Sequence, residues 1–549
     1  MDVGVDRFSY AVIAAASTTQ GRKPSIPARH SARLKPRLCH NWLTKFAETT
    51  DGLWRAVRLG TGLLLLVLLP VVTLAQEAHS EARQQQAPPP RQTEPATAEN
   101  SKASVAGGKI SAEEARELFR SVDEILKFAS ERTGLPIHES VKRQLVDRDQ
   151  VADYIRKHME EDEDSQRLQR GELVLKKFGL LPREFDLKTY LVGLLREQVA
   201  GYYDPKTKTV NLLDWVDPEE QKPVLAHELT HALQDQNFDL EKWMKAADVD
   251  LAREKRQPTT ADIAKDEEIA VRQALVEGQA MVVLLEYTLA PTGQSVTNSP
   301  QIVDAVKQGM LVGTADSILF RESPLFLKET LTFPYRYGLD FVVALLSKQG
   351  KDKAYGGVLR NPPATTRQIM EPDKYLSGEK VGPMVAPDFG RIFRNYELFD
   401  AGAFGEFDVA IFIDQFAGVD RAHELYPHWR GGYYYAARAK NDTSAPLGLM
   451  YVSRWSSAER AAQFAAIYAR SLAKRYRRAR EPLGDPSKNA GTLETLQTLM
   501  GTHTWLTEDG PVVIEVRGDI VLAVESFDPV TAEDVQKAVF GHAMTGERK

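Results

Sequence analysis

The sequence predicts an α+β protein, with a mainly helical unit that carries a small antiparallel sheet, followed by a smaller α+β unit. Three observations predict it. Long stretches in the middle of the chain, such as Ala270 to Leu285, place apolar residues at helical spacing. Gly201 to Leu213 reads as strand, turn, strand, with Asp204-Pro205 opening the turn. From about Val385 short apolar runs alternate with amphipathic stretches, the mark of strands mixed with helices.

At 549 residues the chain is too long for one ordinary core, and 43% apolar with 27% charged residues is a soluble globular composition. The net charge of -6 is small for this size and argues against a nucleic-acid binder. Cys39 is the one cysteine, which excludes an intrachain disulfide and a cysteine-based zinc finger. Any metal ligands must therefore be His, Asp or Glu.

Residues 1–76 read as an N-terminal extension with a signal sequence or anchor. Leu59 to Gln76 carries no charge, follows Arg55 and Arg58, and ends in Thr73-Leu-Ala75, small residues that suit cleavage after Ala75. Retention of the same segment as a membrane anchor is the alternative. Either way the rest is expected to be exported to the periplasm or outside the cell, tethered to the membrane if the segment is kept. Residues 77–109, rich in Gln, Pro and Ala, lack large apolar side chains and read as a disordered linker.

A helical unit is expected over 110–384. Ser111 and Glu114 form a capping box ahead of Leu118, Val122, Ile125, Leu126 and Ala129, and Gly134 and Pro136 end that helix. The acidic run Glu160 to Asp164 is expected to be a solvated loop or helix end, because consecutive carboxylates diverge on any regular backbone. Leu187 to Val199 reads as a helix. The hairpin that follows lies just ahead of the most informative stretch of the chain.

That stretch is Val224-Leu-Ala-His-Glu-Leu-Thr-His-Ala-Leu-Gln-Asp-Gln236. On a helix starting near Asp217 or Lys222, His227 and His231 share one face, and Glu228 stands beside them. Two imidazoles at i and i+4 can bind one divalent ion, while the adjacent carboxylate reaches a metal-bound water without occupying a ligand position. Leu225, Leu229, Ala232 and Leu233 are expected to pack on the opposite side.

A catalytic zinc takes three protein ligands and keeps one position open for water. Glu277 is the expected third ligand. Ala270, Ala274, Gly278, Met281 and Leu285 share its helix face, where an unpaired carboxylate would be costly and a cation removes the cost. A buried salt bridge, with Arg272 or with another domain, is the structural alternative. Glu268 and Glu286 lie about half a revolution round that helix and are expected at the surface.

Two His, a downstream Glu and an interposed Glu together resemble the gluzincin metallopeptidases, the zincin division that includes thermolysin. The likeness covers the hairpin, the His-Glu-Leu-Thr-His helix and the Glu277 helix. The thermolysin segment Asn-Glu-x-x-Ser-Asp is replaced here by Val276-Glu-Gly-Gln-Ala-Met281. Gly201-Tyr-Tyr-Asp-Pro205 together with Val276-Glu-Gly278 is more similar to a group of exported bacterial gluzincin-like proteins. The resemblance implies a zincin-like metallopeptidase fold, Zn2+ held by His227, His231 and Glu277, Glu228 as general base and acid, and a peptide or protein substrate.

Three further candidates lie outside the ligand set. Tyr335 and Tyr337, in Phe333-Pro-Tyr-Arg-Tyr-Gly338, are candidate oxyanion donors, against a plain packing role. Asp235 is a candidate to steady a ligand His through a hydrogen bond, against solvation of the helix end. The polar stretch between Asn237 and Glu268 suits a mobile segment over the site, and 360–375, punctuated by Pro, reads as irregular.

The smaller α+β unit is expected over 385–549, with strands near Gly432 to Ala437, Leu447 to Val452, Val512 to Val516 and Ile520 to Val524, and a helix from Ser457 to Arg475. Its position beside the metal unit gives the expectation that it docks substrate or a partner. Its His423, His428, His503 and His542 show no metal spacing, and Lys474 to Arg480 reads as a solvated basic helix end. A rival reading of the whole chain is an exported peptide-binding or scaffold protein with a structural or vestigial zinc. Glu228 argues against it, since a structural zinc closes its shell with four protein ligands and has no use for a base.

Overall fold

Ser111 caps the first described helix of the computed structural model, which describes residues 109–159, 162–197, 201–247, 256–313, 317–380, 382–480 and 493–543. The signal or anchor segment and nearly all of the linker lie outside these residues. Among them no helix is long and apolar enough to cross a membrane.

The reciprocal capping box of Ser111 and Glu114 forms as expected, and helix α1 (Ala112–Thr133) ends at Gly134 in a left-handed conformation. Strand β1 (Lys142–Val146) and helices α2 (Arg148–Met159), α3 (Asp162–Phe178) and α4 (Leu187–Glu197) precede the predicted hairpin, β2 (Tyr202–Asp204) and β3 (Thr209–Leu213). The sheet runs β1-β3-β2 and is mixed rather than antiparallel, since β1 lies parallel to β3. The three intervening helices provide the long crossover that parallel pairing needs.

Asp217 caps helix α5 (Pro218–Phe238), with Pro218 in the first turn, where a missing N–H costs nothing. The sequence implies one packing face and one chemical face. Instead, every residue from Val224 to Asp235 is buried, because α1 and the helix α7 (Thr260–Leu289) both pack against α5. Between them the short helix α6 (Leu240–Lys245) is pinned down. The Trp243 indole N–H donates to the Leu359 carbonyl, while Arg272 stacks on the ring and donates to the Trp243 carbonyl. That part of the expected mobile segment is therefore anchored; residues 248–255 lie outside the described residues.

Helix α8 (Pro300–Gly313) leads to α9 (Leu325–Gln349), which lies along α7. The segment read as irregular at 360–375 contains two short helices, Thr366–Met370 and Pro372–Leu376. Then come β4 (Tyr396–Ala403), α10 (Glu406–Ala417), β5 (Trp429–Ala439), β6 (Gly448–Trp455), α11 (Ala458–Arg475), β7 (Ala479–Arg480), β8 (Gly501–Thr507), β9 (Gly510–Arg517), β10 (Ile520–Glu525) and α12 (Pro529–Ala543). The seven strands form one antiparallel sheet, ordered β4-β5-β6-β10-β9-β8-β7.

Period-two alternation sends the two faces of this sheet into different cores. Leu449, Tyr451, Val521 and Ala523 join the main core, which runs without a break through α1, α5, α7 and α9. Met450, Val452, Leu522 and Val524 face a second cluster with Phe389, Phe393, Tyr435 and Phe527. The change of pattern near 385 thus marks the start of a sheet whose inner face completes the helical core. All described residues belong to one compact unit.

Candidate metal centre

One helical turn on α5 carries His227 and His231 with ring centroids 4.8 Å apart and nearly perpendicular. Where α7 crosses α5, Glu277 meets both. The His227 and His231 Nε2 atoms are 3.1 Å apart, and Glu277 Oε2 lies 3.2 Å from the first and 3.4 Å from the second. These three side chains form a buried group able to hold a metal ion. Tetrahedral bonds of zinc-like length separate neighbouring ligand atoms by roughly 3.3 Å, so the triangle fits such a cation without rearrangement. Two nitrogens and a carboxylate oxygen turned toward one point also make poor neighbours for each other unless positive charge lies between them.

Burial and mutual charge perturb every member. Burial, joined by the charge of His231, lowers the His227 pKa despite Glu277. For His231 burial acts in the same direction, but the Glu277 carboxylate outweighs it and raises the imidazole to about 9. Glu277, fully buried, is nonetheless held below its ordinary value by the two imidazoles. The expected alternative partner, Arg272, pairs with Glu268 instead. Glu286 is not at the surface: it accepts from the Val296 N–H and pairs with Arg132.

Glu228 stands beside the triad, 3% exposed, and burial pushes its carboxyl up to about 8 against the pull of His231. Its Oε2 accepts the Tyr203 N–H at 2.7 Å, so the β2 hairpin strand lies directly against it. Tyr202, the residue before Tyr203 on that strand, packs against Tyr154, with ring centroids 4.5 Å apart.

The remaining candidates separate. Tyr335 lies within α9 and is fully buried against Glu277, whose charge and hydrogen bonding add to burial in raising the phenol well above its ordinary value. Tyr337, two positions on, faces away and packs on Phe333 and Phe407, which is the packing role. Asp235 does not touch the ligand imidazoles. Its carboxylate accepts from the Tyr203 hydroxyl, the Lys208 ammonium and the Leu240 N–H, tying the hairpin to the end of α5. The partner of His231 Nδ1 is Gln234, at 2.8 Å. Sequence reasoning passed over Gln234, although its place one turn after His231 on the same face was the available signal.

Of the C-terminal histidines, His428 contacts Ser456 and His503 the Met500 carbonyl. The basic run departs from expectation, since the helix stops at Arg475, Ala479 and Arg480 form a strand, and Tyr476 is buried. Arg475 is buried and paired with Glu525, while Lys474, Arg477 and Arg478 are exposed.

A family model described as a domain of unknown function, DUF8575, matches residues 395–536. That range holds the seven-stranded sheet and leaves out the triad. No curated protein and no solved structure matches the chain.

Proposed function

We propose that this chain is a zinc-dependent peptide-bond hydrolase of the gluzincin type, with a zincin-like helical region built around His227, His231 and Glu277. The observation that carries the reading is the position of Glu228. A fourth titratable group lies beside a three-ligand cluster, held by a backbone N–H of an edge strand rather than paired with a cation. Bound at the triad, zinc would act as a Lewis acid and lower the pKa of a coordinated water. Glu228 takes the proton of the attacking water and returns it to the leaving amine, roles that its place beside the three ligands gives it. Strand β2 ends its sheet beside Glu228, and an extended peptide added along it would take over the Tyr203 N–H that Glu228 now accepts. Export, with or without a membrane tether, and docking of substrate or a partner on the C-terminal sheet belong to the same proposal.

Glu228→Gln tests it. The expected result is a fall of roughly 10²–10⁴ in hydrolysis of an unstructured protein substrate, with stoichiometric zinc retained. A second reading is favoured by the depth of the site, where His231 is 1% and Glu277 0% exposed. In that reading the metal is structural in a peptide-binding or scaffold protein. A wild-type protein that carries zinc and hydrolyses nothing would decide for it.

A further inference from the structure

Two glutamines behind His231 form a chain whose direction can be read from its far end. Gln279, on α7, donates both of its described amide hydrogen bonds to backbone carbonyls, Ala354 at 2.8 Å and Tyr355 at 3.2 Å. A carbonyl can only accept, so the atom facing it is the amide nitrogen, and the assignment needs no choice of amide flip. Both carbonyls belong to a π-helical turn, Lys353–Gly357, a rare local geometry that turns them toward α7.

With its nitrogen committed, Gln279 presents Oε1 to Gln234, which must donate to it at 2.8 Å. Gln234 Nε2 also donates to the Val276 carbonyl at 3.1 Å, a second acceptor that fixes the same orientation. The Gln234 amide oxygen is thereby left facing His231 Nδ1 at 2.8 Å, and an amide oxygen accepts. His231 Nδ1 must therefore carry a hydrogen in every protonation state of the ring. Both glutamines are fully buried, so water does not compete for these bonds.

We infer that Gln234, aligned by Gln279, is a positioning residue for the metal centre. It reserves the His231 Nδ1 for hydrogen, so that Nε2 is the nitrogen that offers its lone pair to a cation, with any proton it carries released to solvent. This deepens the proposed metal site and rests on it. It also sets the two imidazoles apart. His227 Nδ1 is buried without a hydrogen-bond partner among the described residues, so His231 is the ring whose orientation the surrounding structure dictates. The relay runs from the 353–357 turn through α7 to α5, and thereby joins the ligand-bearing helices to a part of the fold with no ligand of its own.

The test is zinc affinity by chelator competition on the full chain, with Gln234→Met, Gln279→Met and the double variant. Co2+ spectra and the His231 Nδ1 proton resonance of the zinc-loaded protein are recorded alongside. Removing an outer partner of a ligand His costs roughly 10–100-fold in affinity. We expect a loss of that size for Gln234→Met, a smaller one for Gln279→Met, and a double variant no worse than Gln234→Met, because Gln279 acts through Gln234. The Co2+ absorption should shift, and the exchange-protected Nδ1 proton should disappear in Gln234→Met. Affinity within twofold of wild type with an unchanged Co2+ spectrum would overturn the relay while leaving the metal site standing. Fully additive losses would overturn it too, since they mark two independent packing defects. If Gln234→Met does not fold, the wild-type protein still decides: a His231 Nδ1 proton that exchanges freely with solvent overturns the inference. A wild-type chain that binds no zinc overturns the metal centre itself, a result distinct from any of these.

Discussion

Gly278 and Gly338 meet backbone against backbone where α7 crosses α9. A Cβ on Gly278 would lie 2.3 Å from the Gly338 carbonyl oxygen, and one on Gly338 would lie 2.1 Å from the Ala274 carbonyl oxygen. No side chain can yield there, because the obstructing atoms are main chain. Gly278 follows Glu277 directly, and Gly338 is three positions after Tyr335, so the close crossing sets the approach of the phenol to the carboxylate.

From this crossing follows a reversal of the usual helix rule. In an exposed helix Gly→Ala stabilises by roughly 0.5–1 kcal/mol. Gly278→Ala or Gly338→Ala should instead destabilise by about 1–3 kcal/mol, the usual cost of overpacking, and should weaken metal binding by displacing Tyr335 from Glu277. Urea unfolding together with metal content of the purified variant checks both effects. A variant as stable as wild type would mean that the helices separate freely and that the crossing does not set the site.

Removing the metal should destabilise the protein. A ligand that binds the folded chain alone adds RT ln(1 + [L]/Kd), about 4 kcal/mol when free zinc is a thousandfold above its Kd. Thermal unfolding should therefore fall to lower temperature in chelator and recover on adding zinc. His231→Ala should unfold at one temperature with or without chelator, since it removes a ligand from the triangle.

How much of this was legible in the sequence depends on how local each signal was. The two imidazoles, their neighbour Glu228 and the hairpin were read from short spacings that a helix or turn converts directly into geometry. Glu277 was legible because it was an isolated charge on an apolar helix face. Asp235 looked like a partner for a ligand His because it follows His231 on the same helix. The real partner is Gln234, and what orients it lies in α7 and the turn at Lys353–Gly357. Such contacts carry no periodicity. The mixed sheet was missed for the same reason, since the β1 to β3 pairing spans three helices, and β4 and β8 went unread because their alternation is weak.

Glu267 gives the junction between α7 and the short helix Thr366–Met370 a pH dependence. Its Oε1 accepts both the Thr366 N–H at 2.8 Å and the Thr366 hydroxyl at 2.5 Å, yet burial pushes the carboxyl up from 4.5 to about 7, with Asp408 and Asp266 adding to the rise. Below pH 4.5 the group is protonated folded or unfolded and costs nothing. As pH climbs from 4.5 to 7 the unfolded chain ionises first, so stability falls over that window by roughly 3 kcal/mol and stays lower above it. Glu267→Gln keeps an acceptor for both Thr366 donors and has no proton to lose. In urea unfolding across pH 4 to 8, the difference between variant and wild type should grow over that window in favour of the variant. A difference that does not change with pH would show that Glu267 titrates normally.

The buried pair of Arg475 and Glu525 predicts unequal costs for breaking it and for replacing it. Glu525 accepts from Arg475 Nη2 through both oxygens, at 2.8 and 2.7 Å, and from the Tyr468 and Tyr476 hydroxyls at 2.6 Å each. The same Arg475 nitrogen donates to the Lys177 carbonyl, and its Cγ is the atom that a side chain at Gly179 would strike. The guanidinium thus fastens the end of α3 to α11 and β10. Glu525→Gln leaves that guanidinium buried without a counter-charge, beside Lys177, and should cost about 3–5 kcal/mol. Adding Arg475→Met to Glu525→Gln removes the stranded charge while keeping much of the stem that fills the space by Gly179. The double variant should therefore be more stable than Glu525→Gln alone, although it lacks one more native hydrogen bond to α3. Urea unfolding of the two variants compares them directly. If the second substitution instead adds its own loss in full, the pair acts through packing and hydrogen bonding, and the uncompensated charge is not what makes Glu525→Gln costly.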